Sequence, residues 1–294
     1  MSAIHPSPFA RYLLAKRSVD DRALNRNVYD ALLAQLPNVN APLRTLEIGC
    51  GVGTMLERIV RWGMLQERRI DYLGIDNDAG NIAAATAPDA PNLTARFEVA
   101  DFYTFAELPA HQSHYDLVIA HAVLDLFDLD RALPLVRALL RPGGLGWFTI
   151  NFDGATIFEP PLEGDPNDAL NTAMLAAYHA TMDARTIDGA PAGASATGRR
   201  LLSALPRAGL PVLAAGASDW VVFPCNGAYP DDEQAFLEAI LGFFAHSLDG
   251  AAGVSPAARN QWLTQRHAQI ARAELSYIAH QLDFLVARPA EVNS

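Results

Sequence analysis

Residues 46–54 read LEIGCGVGT. Three glycines, Gly49, Gly51 and Gly53, stand at every second position after an acid and an isoleucine. A chain gives up side chains at that density where its backbone must turn sharply or approach something closely. The preceding run, LRTLEIG (43–49), reads as a strand, and the following one, TMLERIVRWGML (54–65), as a helix. The glycines therefore join a strand to a helix.

The same alternation continues outward. IDYLGID (70–76), RFEVAD (96–101) and LGWFTIN (145–151) read as strands. So does the apolar run in YDLVIAHAV (115–123), whose lack of alternation fits a strand buried on both faces. Helices are expected over 77–87 and over 130–140, the latter stopped by RPGG at 141–144. Before the loop, 18–36 reads as one helix with Ser18 as its cap and Leu24, Val28, Leu32 and Leu36 along one face. After Asn151 the pattern loosens. A helix is expected over 166–184 and a capped helix over 197–209. A strand over 211–223 and helices over 231–247 and 256–274 follow, then a last strand over 276–288, for which an extension of the preceding helix is the alternative. The fold class is α/β, Rossmann-like and doubly wound, with a mostly parallel seven-stranded sheet. Within one structural domain we expect an N-terminal helical cap (1–40), a ligand-binding core (41–152), an inserted lid (153–196) and the C-terminal part of the sheet with additional helices (197–294).

Composition narrows the function. Of 294 residues, 50% are hydrophobic and 19% charged, which supports a packed core. A net charge of −11 argues against nucleic acid as the main substrate. The basic residues are arginines except for Lys16. Two cysteines, Cys50 and Cys225, are too few for a disulfide framework or a zinc site, and His267 has no spaced partner, so no metal is expected. The N-terminal residues lack a signal-peptide core and no apolar run is long enough for a bilayer, which points to a cytoplasmic protein without membrane contact.

In an open parallel sheet, ligands bind in the crevice at the carboxyl ends of the strands, where the glycine loop lies. A P-loop is excluded because no Gly-Lys-Ser/Thr follows. A dinucleotide fingerprint places its third glycine at position 54, but Thr54 stands there and the glycine comes one residue early. Asp76 ends the second strand and Asp101 the third, so both face the crevice, and Glu47 adds negative charge near the loop. Three carboxylates suit a cationic or neutral ligand better than a pyrophosphate.

LEIGCGVG resembles the first motif of the class I S-adenosylmethionine (SAM)-dependent methyltransferases, E-x-G-x-G-x-G. LGIDND, VADF, YDLVIAHAVLDLF and LLRPGGLGWFTI resemble the next elements in the family's order. The resemblance covers 43–151. It implies SAM as cofactor, with Glu47, Gly49, Cys50, Gly51 and Gly53 forming its cradle. It implies Asp76 at the ribose hydroxyls, Asn77 beside the adenine, Asp101 and Phe102 at the adenine edge, and Ala120, His121 and Ala122 near the transferring methyl. His121 is the candidate general base, or else a packing partner of the cofactor, and Asp125 is a second candidate. If the N-terminal helix closes over the site, Arg17, Arg22 and Asn25 can meet the cofactor's carboxylate. Arg199, Arg200, Trp220 and His280 read as surface or core. The fourth motif, AHAV, lacks the Asn/Asp-Pro-Pro-aromatic pattern of amino-methyltransferases. With Phe158, Tyr178 and Met182 in the inserted region, it suggests a small, partly apolar acceptor methylated on O, N or C. The alternatives are a SAM enzyme of another reaction type, such as cyclisation to methylthioadenosine, a regulatory subunit that does not turn over, and a nicotinamide dehydrogenase. The oligomeric state has no signature in the sequence.

Overall fold

A computed structural model describes residues 7–37, 41–64, 68–165, 167–187 and 189–290. Residues 1–6 and 38–40 of the expected cap, 65 at the end of the expected 54–65 helix, and 166 and 188 of the expected lid lie outside the described residues. Helices α1 (Pro8–Ala15), α2 (Arg17–Ala23) and α3 (Arg26–Gln35) come first. The core then alternates: β1 (Leu43–Ile48), α4 (Thr54–Arg61), β2 (Ile70–Asp76), α5 (Ala79–Ala84), β3 (Leu93–Val99), α6 (Phe102–Ala106), β4 (Tyr115–His121), α7 (Leu129–Leu139) and β5 (Leu140–Glu159). There follow α8 (Ala169–Asp183), a small hairpin of β6 (Thr186–Ile187) and β7 (Ala190–Pro191), and α9 (Thr197–Arg207). The chain ends with β8 (Val212–Ala217), β9 (Trp220–Val222), α10 (Glu233–Ser247), α11 (Pro256–Ala271) and β10 (Ser276–Ala287).

The main sheet runs in the order β3-β2-β1-β4-β5-β10-β8, with β9 paired to the first part of β10. Strands β3 to β5 are mutually parallel, and β10 lies antiparallel between β5 and β8. The chain leaves β1 in one direction for β2 and β3 and returns on its other side for β4 and β5. That reversal opens the crevice beyond the carboxyl ends of β1 and β4. Both faces of the sheet are covered. Leu46, Ile48, Val118 and Phe148 pack on Phe105, Leu133, Val136 and Leu201 from α6, α7 and α9. On the other face Leu117, Ile119 and Trp147 meet a layer that includes Val28, Leu32, Ile59, Phe236 and Trp262.

Five local readings change. The expected 18–36 helix is two helices: Ser18 lies inside α2, and Asn25 caps α3 through Val28 N–H (3.1 Å). The break has tertiary partners, because Asn25 N–H donates to Asp283 (2.8 Å) and Asn25 Nδ2 to the Ala217 carbonyl (2.8 Å). RPGG ends α7 but already belongs to β5, where Gly143 N–H bonds the Arg288 carbonyl and Arg288 N–H the Gly144 carbonyl. The same strand continues past 151 to Glu159 along β10, so the excursion expected from 153 leaves the sheet at Pro160. The 211–223 run divides into β8 and β9 at Ser218 and Asp219, and α9 has no side-chain cap.

Candidate active site

A cavity of about 310 Å³ lies at the carboxyl ends of β1 to β4. Gly49 and Gly51 line it with φ of +67° and +54°. A side chain on Gly49 would meet Val123 at 2.7 Å, and one on Gly51 would meet Leu13 of α1 at 2.8 Å. The loop thus carries glycine because the backbone is left-handed there and neighbours close on it from both sides. Asp76 accepts Gly51 N–H on one oxygen (2.9 Å) and Asp78 N–H on the other (2.9 Å), so its carboxylate is fixed on the wall beside Asn77. Asp101 caps α6 through Thr104 N–H (2.9 Å) with one oxygen, and Phe102 stacks on Phe127 at 5.0 Å. Gly53, Asp101 and Phe102 follow the loops that the sequence assigns to them; Asp101 and Phe102 share the wall with Asp76, whereas Gly53 packs against Phe97 and the Thr86 carbonyl.

One expectation about charge is corrected. Glu47 is buried beneath the loop with the Tyr72 hydroxyl donating to it, and burial pushes its pKa up to about 8. It is therefore protonated at neutral pH and adds no negative charge to the site. Cys50 stands near a helix start, but burial, with Glu47 and Asp76 nearby, raises its thiol well above the usual range. It packs under the loop against Gly74 as a small apolar residue.

His121 ends β4 on the cavity wall. Its Nδ1 lies 2.8 Å from Thr149 Oγ1 and its Nε2 3.0 Å from Asp20 Oδ2. Burial pushes the imidazole down to about 4, so it is neutral. Burial alone would raise Asp20, but Lys16, His121 and Arg58 outweigh it and hold the carboxylate well below the usual range. An ionised Asp20 accepts the Nε2 proton, which leaves Nδ1 to accept from Thr149. Both ring nitrogens are thus engaged. Asp20, fully buried on α2, also takes Trp220 Nε1–H (2.9 Å), Arg58 Nη2 (3.3 Å) and Lys16 Nζ (3.3 Å).

Residues 46–145 match a family model described as a methyltransferase domain. Those residues form a methyltransferase domain. Similar curated proteins are the ubiquinone biosynthesis O-methyltransferases of Nitrobacter winogradskyi (31% identical over 110 residues) and Rhodopseudomonas palustris (32% over 109). The matched part is 37% of this chain and spans only 38% and 40% of those two proteins. A crystal structure of a candidate methyltransferase from Bacillus halodurans shares the fold, at 10% identity and a TM-score of 0.50, over 88% of this chain and 98% of that one.

The remaining sequence-derived residues divide. Ala120 is buried in the sheet among the α6 and α7 contacts and lies off the cavity wall. Arg17 pairs with Glu57 (2.7 Å) and Arg22 with Glu233, and neither lines the cavity; Asn25 is committed to Asp283 and Ala217. These three are drawn away because acids and carbonyls of α4, α10, β8 and β10 face them. The cation on the wall is Lys16 at the end of α1, the chain's single lysine, which the sequence reading noted but did not place. A second cavity, about 330 Å³, adjoins the first and shares Phe9, Leu13, Lys16, Ala122 and Leu126 with it. Asp125, Tyr178 and Met182 line it, together with Tyr12, Phe152, Trp220, Phe243, Tyr277 and Gln281. Phe158 does not, being packed among Phe244, Trp262 and Tyr277. Arg199 pairs with Asp153 and His280 with Asp219, away from both cavities. Among the described residues no group of three or more His, Cys, Asp or Glu could hold a metal, and no helix is long and apolar enough to cross a membrane.

Proposed function

We propose that the protein methylates a small, partly apolar molecule, with SAM in the first cavity and the acceptor in the second. The observation that carries this reading is the shared rim. The two cavities meet between α1 and the end of β4, so a methyl group beside Ala122 in one faces a nucleophile in the other. Asp76 and Asn77 hold the ribose end, Asp101 and Phe102 the adenine, and the glycine loop the methionine portion. The sulfonium already makes its methyl electrophilic. The protein's part is to place the acceptor in line and keep water out, which accounts for large rate effects without acid–base chemistry. Helix α1 covers both cavities with Phe9 and Leu13, and the region after Pro160 contributes Tyr178 and Met182 from α8 as the acceptor's lid. His121, with both nitrogens engaged, acts as a neutral spacer that fixes Asp20 and through it α2, instead of as the base.

The names of the curated relatives agree with oxygen as the accepting atom. The net charge of −11 and the size of the second cavity, about 330 Å³, support a small molecule over nucleic acid, in a cytoplasmic enzyme. Calorimetry with S-adenosylhomocysteine tests the cofactor assignment, with micromolar-range binding expected and no heat of binding as the result against it. Analysis of the spent cofactor tests the reaction type. S-adenosylhomocysteine is expected; methylthioadenosine would favour cyclisation.

A further inference from the structure

We propose that the acceptor is a flat hydroxyl compound that reacts as its oxyanion, a phenol or enol, and that Lys16 is the cation that holds the reacting oxygen where the two cavities meet. The proposal builds on the cavity assignment above.

Lys16 is 4% exposed and stands on the walls of both cavities. Its contact with Asp20, at 3.3 Å, is longer than the 2.7–2.9 Å of a tight charge-assisted bond. The Asp20 carboxylate is divided among Lys16, Arg58, His121 and Trp220, so it satisfies the ammonium only in part. An ammonium has three donors, and those that Asp20 does not take can serve an oxygen at the rim.

The same group excludes a cationic acceptor. Lys16 Nζ lies 6.0 Å from the Tyr12 ring and 5.8 Å from the Trp220 ring, so the aromatic faces that would attract an ammonium ligand already hold one. Arg185, on the same cavity wall, adds a second positive charge. The body of the acceptor is set by flat walls of Phe152, Tyr178 and Phe243. Gln281, 1% exposed on β10, also lines this cavity, and its Nε2 is buried without a hydrogen-bond partner. A buried donor of that kind is costly to leave unmade and suits a second oxygen on the ligand.

In the reaction the acceptor binds as its anion and its proton goes to water. A lone pair of that oxygen forms the O–CH₃ bond as the S–CH₃ bond breaks, and the bonding pair returns to sulfur. Oxyanion and sulfonium become neutral ether and thioether, so charge and electrons balance with no other reactant. Lys16 raises the ionised fraction at neutral pH. The other groups near it are Tyr12 on α1, Asp20 on α2, Arg58 on α4 behind Asp20, Glu47 on β1, His121 on β4, Asp125 after β4, Arg185 after α8, His246 on α10, and Tyr178 and Tyr277 across the cavity. Asp20 is ionised and His121 neutral, whereas Glu47 stays protonated up to about pH 8 and ionises above it, opposing the anion there.

The test uses the complex of the whole chain with S-adenosylhomocysteine and 4-nitrophenol as probe, whose phenolate is seen by absorbance. Bound 4-nitrophenol is expected to ionise at least about one pH unit below the free compound, meaning roughly tenfold preference for the phenolate. 4-Nitrobenzylamine, as its ammonium, is expected to bind at least about tenfold more weakly, consistent with like-charge repulsion. Lys16→Met is expected to abolish the ionisation shift in the variant that still binds S-adenosylhomocysteine, whose affinity is measured alongside. An unshifted or raised ionisation, equal binding of the ammonium, or no binding of 4-nitrophenol to the complex overturns the proposal. So does a variant that loses cofactor affinity but keeps the shift, which would give Lys16 to the cofactor's carboxylate. If Lys16→Met does not fold, the two wild-type measurements decide. Absence of S-adenosylhomocysteine binding to the wild type refutes instead the cofactor reading beneath it.

Discussion

Asp76 and Glu47 show how differently two carboxylates of one site behave. Asp76 is pinned by Gly51 and Asp78 N–H groups, faces the first cavity and is available to ribose hydroxyls. Asp76→Ala should weaken S-adenosylhomocysteine binding by roughly 10- to 100-fold, since each charge-assisted hydrogen bond lost is worth about 1.5–3 kcal/mol. Calorimetry reads this directly, and unchanged affinity would move the adenosine elsewhere. Glu47 has the opposite character. In the unfolded chain it ionises near 4.5, in the fold near 8. Between those values the folded state binds more protons than the unfolded one, so this residue makes stability fall as pH rises through the window. The effect approaches about 3 kcal/mol by pH 7, at about 1.4 kcal/mol per pH unit. Glu47→Gln should remove that loss. Urea unfolding of the unliganded protein at pH 5 and pH 8 should show a stability gap in favour of the variant that widens with pH, and a constant gap would contradict the burial argument. His121 works at the acid side. Its folded value of about 4 against 6.5 unfolded means that the unfolded state takes up more protons between those limits, so its contribution is complete above about 6.5 and lost as pH falls toward 4.

At the scale of elements, the N-terminal helices are attached by polar contacts to distant parts of the chain. Asn25 begins α3, bonds β8 and β10, and lies so close to Gly216 that a side chain there would meet it at 2.3 Å. Asn25→Ala should lower stability by about 1–2 kcal/mol through the lost cap and carbonyl contact. Urea unfolding measures the loss, and S-adenosylhomocysteine affinity should not change because Asn25 is off both cavity walls. The same docking sets the direction of α2, whose Asp20 meets Arg58 of α4, His121 of β4 and Trp220 of β9. A buried charge with several donors is expensive to lose once a partner is removed, so this hub fixes where α1 can lie over the site.

At the scale of the whole molecule, the two cavities divide the work between the motif-bearing half and the C-terminal half. The first is walled mainly by loops after β1 to β4, the second by β5, β9, β10, α8 and α10. Met182 lines only the second. Met182→Trp should fill that space and raise the acceptor's KM about tenfold or more, with S-adenosylhomocysteine affinity changed less than about twofold, because overpacking acts locally. Steady-state kinetics with any accepted phenol, alongside calorimetry, checks both halves of the statement. Equal damage to both ligands would mean that the cavities are one site.

The sequence by itself determined the alternating core from Leu43 to Asn151 and its glycine loop. There, strand period, glycine turns and the acids at the end of β2 and after β3 are local patterns, and parallel pairing carries their positions to one edge without further information. The C-terminal run 276–288 alternates only in part and could have extended the preceding helix; antiparallel pairing with β5 and β8 makes it a strand. Only the tertiary structure decided that Glu47 is protonated, that Arg17 and Arg22 face other acids, and that β5 runs on to Glu159 beside β10. Burial and ion pairing depend on what lies across the fold, and no local spacing records it. Lys16 is the clearest case. As a letter it is one lysine in a chain of arginines, and its place between two cavities comes from the meeting of α1, Asp20, Trp220 and the end of β4.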